Sequence, residues 1–354
     1  MKILVVGLGL IGGSVCKAIH TFTEHSVYGC DRNPQVIAQA LDQHAIEGVV
    51  TDDCTGFDLI VVSLYPEILR TWVTEHVHTM TPGTIVIDVA GVKSDIPETM
   101  GKICAAHGVH YLSTHPMAGK ERFGFGASDE NLFQGANFIL TPLPETPKAV
   151  TAQVKNFAHQ IGFRRFVVTT PALHDRMIAY TSQLAHVVSS AYVKSPVIEL
   201  ESGFSGGSFH DMTRIATMNE DMWTMLFLEN RESLLGELDV LIGHLQAYRD
   251  VLDRRDEEML HELIADGRRR KEENLQRRRN APSVIDLTQY DGKCEKDVDT
   301  GDMWVRYTGS TSILTLTAGS RYKVLSIERG WFRIVDDSGE DYLYPPELFE
   351  VEKA

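Results

Sequence analysis

The segment Gly7-Leu8-Gly9-Leu10-Ile11-Gly12 constrains this chain more than any other. It follows an apolar run, residues 2–6, and precedes a stretch of helical composition, residues 13–20. The first glycine permits a tight turn, the second lets backbone approach a pyrophosphate, and the third lets helix pack closely on strand. The helix N-terminus then offers unpaired amides to the phosphates. A second apolar run, residues 26–30, ends at Asp31, where an acid accepts hydrogen bonds from the adenosine ribose. A carboxylate there repels a ribose phosphate, so NAD is preferred over NADP, although Arg32 stands next in line to receive that phosphate. Gly7, Gly9, Leu10, Ile11, Gly12 and Asp31 are the candidate cofactor residues, joined by Ser63 and Leu64 at the end of a third run.

The pattern around this turn repeats. Strand-like runs at 2–6, 26–30, 59–63, 84–88, 110–113 and 137–141 alternate with helical stretches such as 13–20 and 34–43. Strands spaced by helices imply right-handed crossovers and a parallel, doubly wound, Rossmann-like α/β sheet. Prolines at 142, 144 and 147 mark a break. Long helical periodicity fills 171–276, interrupted at 201–208, and predicts an all-helical second domain. Residues 303–351 turn to short strands separated by Arg329-Gly330 and Ser338-Gly339, which predicts a small β-barrel. The expected division is a dinucleotide domain over 1–148, a helical substrate and dimerisation domain over 149–280, a linker over 281–302 and a barrel over 303–354.

Composition closes off other classes. A net charge of −15 over 354 residues disfavours a nucleic-acid surface. The basic runs at 268–271 and 277–279 read as solvated helix ends, where cations meet the negative pole of the dipole. Five scattered cysteines without a C-x-x-C pair predict neither a disulfide framework nor a metal site. The N-terminal apolar run is too short for a signal peptide, and no stretch is long enough for a membrane span, so a cytoplasmic protein is expected.

His115 opens His115-Pro116-Met117-Ala118-Gly119-Lys120-Glu121, just after the fifth run and at the carboxyl edge of the sheet. An imidazole there suits a base for a hydroxyl whose carbon gives up hydride. With a dinucleotide turn upstream, the pair reads as an oxidoreductase.

These stretches resemble the prephenate and arogenate dehydrogenase family of tyrosine biosynthesis. Gly7-Leu8-Gly9-Leu10-Ile11-Gly12-Gly13-Ser14 is similar to that family's opening, and the His115 stretch is similar to its catalytic segment. Ser182-Gln183-Leu184-Ala185-His186 is similar to its substrate-site helix. Asp211-Met212-Thr213-Arg214-Ile215-Ala216, with Met222-Trp223 and Leu228-Glu229-Asn230-Arg231-Glu232, is similar to its arginine-bearing segment. The resemblance covers residues 1–280. It implies NAD-dependent oxidative decarboxylation of prephenate, with arogenate as the rival substrate, in a homodimer paired through the helical domain. By the same resemblance His115 takes the hydroxyl proton, Arg214 clamps a substrate carboxylate and His186 hydrogen-bonds the substrate. Trp223 lines the pocket, while Glu121 and Asp175 orient or gate charged groups.

Plainer readings stand beside these. Arg214 and Asp211 also make a surface pair, and Trp223 and His186 also fit a core. One departure is visible: Asp88-Val89-Ala90-Gly91-Val92-Lys93-Ser94 has Gly91 where the family often carries a serine that bonds the histidine and the substrate hydroxyl. A water, Ser94 or no contact at all are the alternatives. The last fifty residues resemble a Src-homology-3 barrel, with Trp331 in place of the ligand-meeting aromatic of a proline-rich peptide groove; the plainer reading is a barrel that packs on the enzyme or its dimer mate. A reading of another class is a non-catalytic nucleotide sensor whose barrel binds a peptide; such a protein needs Asp31 and the glycines but not His115, His186 and Arg214.

Overall fold

The apolar run from Ile3 to Val6 alternates between two cores. Ile3 and Val5 pack in one layer, Leu4 and Val6 in the other, and Leu59 to Val62 and Ile85 to Ile87 divide in the same way. Strands buried on both faces must carry helices on both sides, which is the doubly wound arrangement. The computed structural model describes residues 1–120, 122–290, 303–309, 316–328, 331–337, 341–344 and 346–352. They fall into two units, Met1–Leu234 with Ala281–Gln289, and Leu235–Asn280 with Tyr290–Ala354.

The first unit begins β1 (Lys2–Val6), α1 (Leu10–Phe22), β2 (Ser26–Cys30), α2 (Pro34–Asp42), β3 (Gly48–Val49) and β4 (Leu59–Val62). It continues α3 (Pro66–His76), β5 (Ile85–Asp88), α4 (Ile96–Ala105) and β6 (His110–Met117). These strands lie parallel in the order β3-β2-β1-β4-β5-β6. Helix α1 covers one face through Val15, Cys16 and Ile19; α3 and α4 cover the other through Leu69, Val73, Ile96 and Met100.

Three expectations change beyond β6. The run at 137–141, β7 (Asn137–Thr141), is antiparallel to β6, not parallel. Among the described residues between the two strands there is no crossover helix, only a 3-10 turn at Phe125–Ala127. Helix α5 (Lys148–Gln160) and β8 (Arg165–Val168) still belong to the sheet, so the helical part begins near residue 170 and not at 149. The segment expected as linker returns to the sheet as β9 (Val284–Asp286), parallel to β8 and ninth in the sheet. Residues 291–302 of that segment lie outside the described residues.

Helix α6 (Pro171–Ile178) starts where Thr170 accepts the Leu173 amide and Pro171 needs none. It runs through a π-helical turn, Ala179–Gln183, into α7 (Leu184–Tyr192). The break near 201–208 separates α7 from α8 (Gly207–Thr213), and Asn219 caps α9 (Glu220–Glu229). Helix α10 (Arg231–Arg254) crosses the border between the units, and Asp256 caps α11 (Glu257–Arg279).

The second unit adds β10 (Trp304–Tyr307), β11 (Arg321–Glu328), β12 (Trp331–Val335), β13 (Asp341–Tyr344) and β14 (Phe349–Glu352). They form an antiparallel sheet ordered β13-β12-β11-β10-β14. A register shift between Val324 and Ser326 breaks the pairing of β11 with β12, the place where a strand bends most easily. Val305, Val324, Phe332, Ile334 and Phe349 form its core. The turns expected at Arg329-Gly330 and Ser338-Gly339 lie outside the described residues. Trp331, read as a ligand-meeting aromatic, is buried, with its ring 3.9 Å from that of His244 on α10. The sheet packs on α10, and Trp331 is covered by it.

Candidate active site

The glycine turn sits where the sheet order reverses, with β2 on one side of β1 and β4 on the other, the crevice in which such sheets bind ligands. Gly7 has φ +83°, and a Cβ on it would lie 2.4 Å from the Ser63 carbonyl oxygen and 2.8 Å from Leu64. A Cβ on Gly12 would lie 1.9 Å from the Gly7 carbonyl oxygen, so α1 reaches the strand only because that position is bare. Gly9 is different: a Cβ there would meet nothing within 4 Å, leaving open backbone at the N-terminus of α1. The turn and the helix amides fit a dinucleotide pyrophosphate. Asp31 accepts the Leu8 amide at Oδ2 and the Asn33 amide at Oδ1, each at 2.8 Å. Each oxygen keeps a lone-pair site for a ribose hydroxyl. Leu10 and Ile11 form the first turn of α1.

A wall of this site was not legible in the sequence. The loop after β6 lies against α1: the Asp129 amide donates to Ser14 Oγ at 3.0 Å and Lys17 Nζ to the Ser128 carbonyl at 3.1 Å. Phe125 packs beside Gly13, where a Cβ would be 2.8 Å from its ring. A second small residue directly after Gly12 was the available signal.

His115 lies inside β6, not after it. Strand β5 ends at Asp88, opposite Ser113, so His115 projects past the carboxyl end of the parallel sheet while pairing with Ile139 of β7. Its Nδ1 is 2.9 Å from Nε2 of His174 on α6, whose Nδ1 is 2.7 Å from Oδ1 of Asp175. Burial, then His174 and the Lys93 ammonium, push the His115 pKa well below the ordinary histidine value, so the imidazole is neutral. Burial also lowers His174, against the opposing pull of Asp175.

Lys93 explains part of this field. Its side chain has no exposure; Nζ donates to Asp88 Oδ1 at 2.8 Å, to the Ala90 carbonyl at 2.8 Å and to the Thr114 carbonyl at 2.7 Å. Tyr111 donates to the second Asp88 oxygen at 2.8 Å. Three acceptors use all three ammonium protons, and the turn after β5 is thereby pinned to the backbone just before His115.

Asp175 was expected to orient or gate substrate charge. Its carboxylate accepts the Lys93 amide at 2.8 Å, the Ser94 amide at 2.7 Å and His174, and it is buried. His186, on α7, stacks on Trp223 of α9 with ring centroids 3.7 Å apart, and its Nδ1 donates to the Ser182 carbonyl at 3.0 Å. The short turn that carries Arg214 packs against α7, with Arg214 exposed. His186, Trp223 and the Arg214 turn are thus gathered on one helix pair. Asn230 links that pair to the histidines, since Nδ2 donates to the Asp175 carbonyl and to Gln183 Oε1, both at 2.8 Å. Arg70 of α3 also reaches Glu229 of α9 at 3.2 Å and pairs with Asp95 at the start of α4. Glu121 lies outside the described residues. Among the described residues no cluster of three metal-ligating side chains occurs, and no helix is long and apolar enough to cross a membrane.

A dinucleotide crevice at the switch point, with a half-buried neutral imidazole farther along the same sheet edge, defines a nucleotide-dependent dehydrogenase. The family model described as prephenate dehydrogenase, nucleotide-binding domain matches residues 15–167, and the one described as prephenate dehydrogenase, dimerization domain matches 170–266. The chain belongs to the prephenate dehydrogenase family. It is 28% identical over 268 residues to a prephenate dehydrogenase of Bacillus subtilis, covering 73% of this chain and 72% of that protein. The crystal structure of prephenate dehydrogenase from Aquifex aeolicus with hydroxyphenyl propionate and NAD⁺ superposes with TM-score 0.70 and 28% identity, covering 77% of this chain and 98% of that one. Synechocystis arogenate dehydrogenase superposes with TM-score 0.69 and 25% identity, covering 77% and 100%. The matched domain border, between 167 and 170, agrees with the end of β8.

Proposed function

We propose that the chain catalyses NAD-dependent oxidative decarboxylation of prephenate to 4-hydroxyphenylpyruvate. The observation that carries this reading is the neutral imidazole of His115 on the same sheet edge as the open backbone at Gly9. Between β1 and β6 lie three strand spacings, about 14 Å across the edge. NAD, when bound, supplies the hydride acceptor. His115 accepts the proton of the ring hydroxyl as the carbinol carbon gives up hydride and the ring carboxylate leaves as carbon dioxide. Aromatisation drives the change, so the protein's task is orientation and proton removal, the latter typically worth about 10²–10⁴ in rate. Arg214 binds a substrate carboxylate, a charge-assisted contact, with His186 and Trp223 on the same helix pair. Gly7, Gly9, Leu10, Ile11, Gly12, Ser63 and Leu64 cradle the dinucleotide, and Asp31 takes the ribose hydroxyls.

The protein acts as a cytoplasmic homodimer. Leu235, Ile242, Leu245 and Leu252 are exposed on α10 at spacings of seven, three and seven residues, an apolar stripe along one helix face. That stripe lies within the residues matched by the dimerization-domain model.

The test is spectrophotometric: NADH formation with prephenate and, separately, with arogenate. Turnover with prephenate and much weaker turnover with arogenate is the expected result. Preference for arogenate would reverse the substrate assignment, and NAD binding without turnover of either would return the chain to the sensor class.

A further inference from the structure

We propose that His174 and Asp175 are positioning residues that set which nitrogen of His115 is bare. The proposal rests on the dehydrogenase reading above and assigns two residues to that same site. A carboxylate only accepts hydrogen bonds, so the 2.7 Å contact from Asp175 Oδ1 places a proton on His174 Nδ1. Neutral His174 then has a lone pair at Nε2. The 2.9 Å contact from that nitrogen to His115 Nδ1 therefore requires the proton on His115 Nδ1. His115 Nε2 is left unprotonated. A Cβ built on Gly91 would lie 3.8 Å from Nε2, so that nitrogen faces the turn after β5.

The arrangement accounts for the glycine at 91. No side chain at that position holds the imidazole from the front. The ring is held from behind, through Nδ1. Asp175 serves both parts, because the same carboxylate accepts the amides of Lys93 and Ser94 in the turn that contains Gly91. One buried acid thus registers the base against the wall it faces. When the substrate proton reaches Nε2, the cation that forms on His115 donates from Nδ1 to His174, which donates in turn to the Asp175 carboxylate. The charged or titratable groups acting on the pair are Lys93 and His174 for His115, and Asp175, Lys93 and Asp88 for His174.

The proton inventory is read directly on the full-length resting protein by ¹⁵N NMR with labelled histidine, the His115 signals being assigned with His115→Asn. At neutral pH His115 should carry its proton on Nδ1 with Nε2 bare; the opposite tautomer overturns the proposal. This measurement needs no turnover, so an inactive protein would sink the functional reading while leaving the relay decided. In kinetics, His174→Ala should lower kcat by about 10²-fold through misplacement of the base. KM and NAD affinity should stay within about threefold. His174→Gln puts an amide oxygen near the lost Nε2, where it accepts from His115 Nδ1, and should recover at least about tenfold of the loss. A kcat for His174→Ala within about threefold of the parent, or a Gln variant no better than Ala, would overturn the role. If the Ala variant fails to fold, the tautomer and the Gln variant decide the question.

Discussion

Gly12→Ala and Gly9→Ala add the same methyl to the same turn and should have opposite consequences. At Gly12 the new carbon lies 1.9 Å from the Gly7 carbonyl oxygen and 3.1 Å from Ser63 Cβ. Relaxed contacts need about 3.5 Å, so α1 must retreat from β1 by roughly 1.5 Å. Alanine gains at most about 1 kcal/mol of helix propensity over glycine at this first-turn position. Overpacking typically costs about 1–3 kcal/mol, and a backbone obstacle in a tight turn puts this case at or beyond the upper figure. The net loss is therefore about 2 kcal/mol or more, which for a unit of this size lowers Tm by roughly 4–8 °C. At Gly9 the methyl meets no protein atom, and the φ of −74° suits alanine. Tm should change by no more than about 3 °C, the scale of a weakened N-cap. NAD affinity should nevertheless fall at least about tenfold, because the methyl stands where backbone must approach the pyrophosphate. Calorimetry for Tm and titration of tryptophan fluorescence with NAD for Kd measure both. Unchanged NAD affinity in Gly9→Ala, or an unchanged Tm in Gly12→Ala, would refute the assignment of these glycines.

His115→Asn should reduce kcat by about 10²–10⁴ with NAD affinity retained; turnover close to the parent's would place the base elsewhere. Arg214→Ala should raise KM by about 10- to 150-fold, the loss of a charge-assisted bond of about 1.5–3 kcal/mol, and a change confined to NAD binding would return Arg214 to the surface. Lys93→Met leaves Asp88 buried without its cation and should destabilise by about 3–5 kcal/mol, measured by urea unfolding; a loss below about 1 kcal/mol would show that Asp88 takes up a proton instead. Stability should also depend on acid. Both His115 and His174 have folded pKa values below the unfolded value of about 6.5, so their contribution is complete above that pH and is lost as pH falls toward the folded values. The slope of Tm against pH below about 6.5 should be shallower in His115→Asn, and equal slopes would contradict the depressed pKa.

The sheet was legible because its strands are buried on both faces and so read as uninterrupted apolar runs. The glycine turn was legible because sterics leave glycine little competition there. Direction was another matter: nothing in Asn137-Phe138-Ile139-Leu140-Thr141 says whether it runs with or against its neighbour, since β-propensity carries no polarity. Strand β9 was missed because three residues cannot show a period. His174 was missed for a different reason. A single histidine carries no pattern, and its role depends on His115, far away in sequence. The adjacent His174-Asp175 pair was the one local hint. Asp175 entered through family resemblance as a substrate group, whereas its hydrogen bonds bind it to backbone and to His174.

The return of the chain at β9 has a consequence for biosynthesis. Phe166 of β8 pairs with Val284 of β9, so everything from α6 to α11 is inserted between two neighbouring strands. A growing polypeptide presents β8 as an open edge, with unpaired amides and carbonyls, until more than a hundred further residues have left the ribosome. Such long-range closure is slow, and an exposed edge invites pairing with other chains. The helices, whose contacts are more local, can form while that edge waits. The last step in completing the nucleotide sheet is therefore the arrival of a strand encoded after the entire helical segment, and truncation anywhere between α6 and β9 leaves the sheet unfinished.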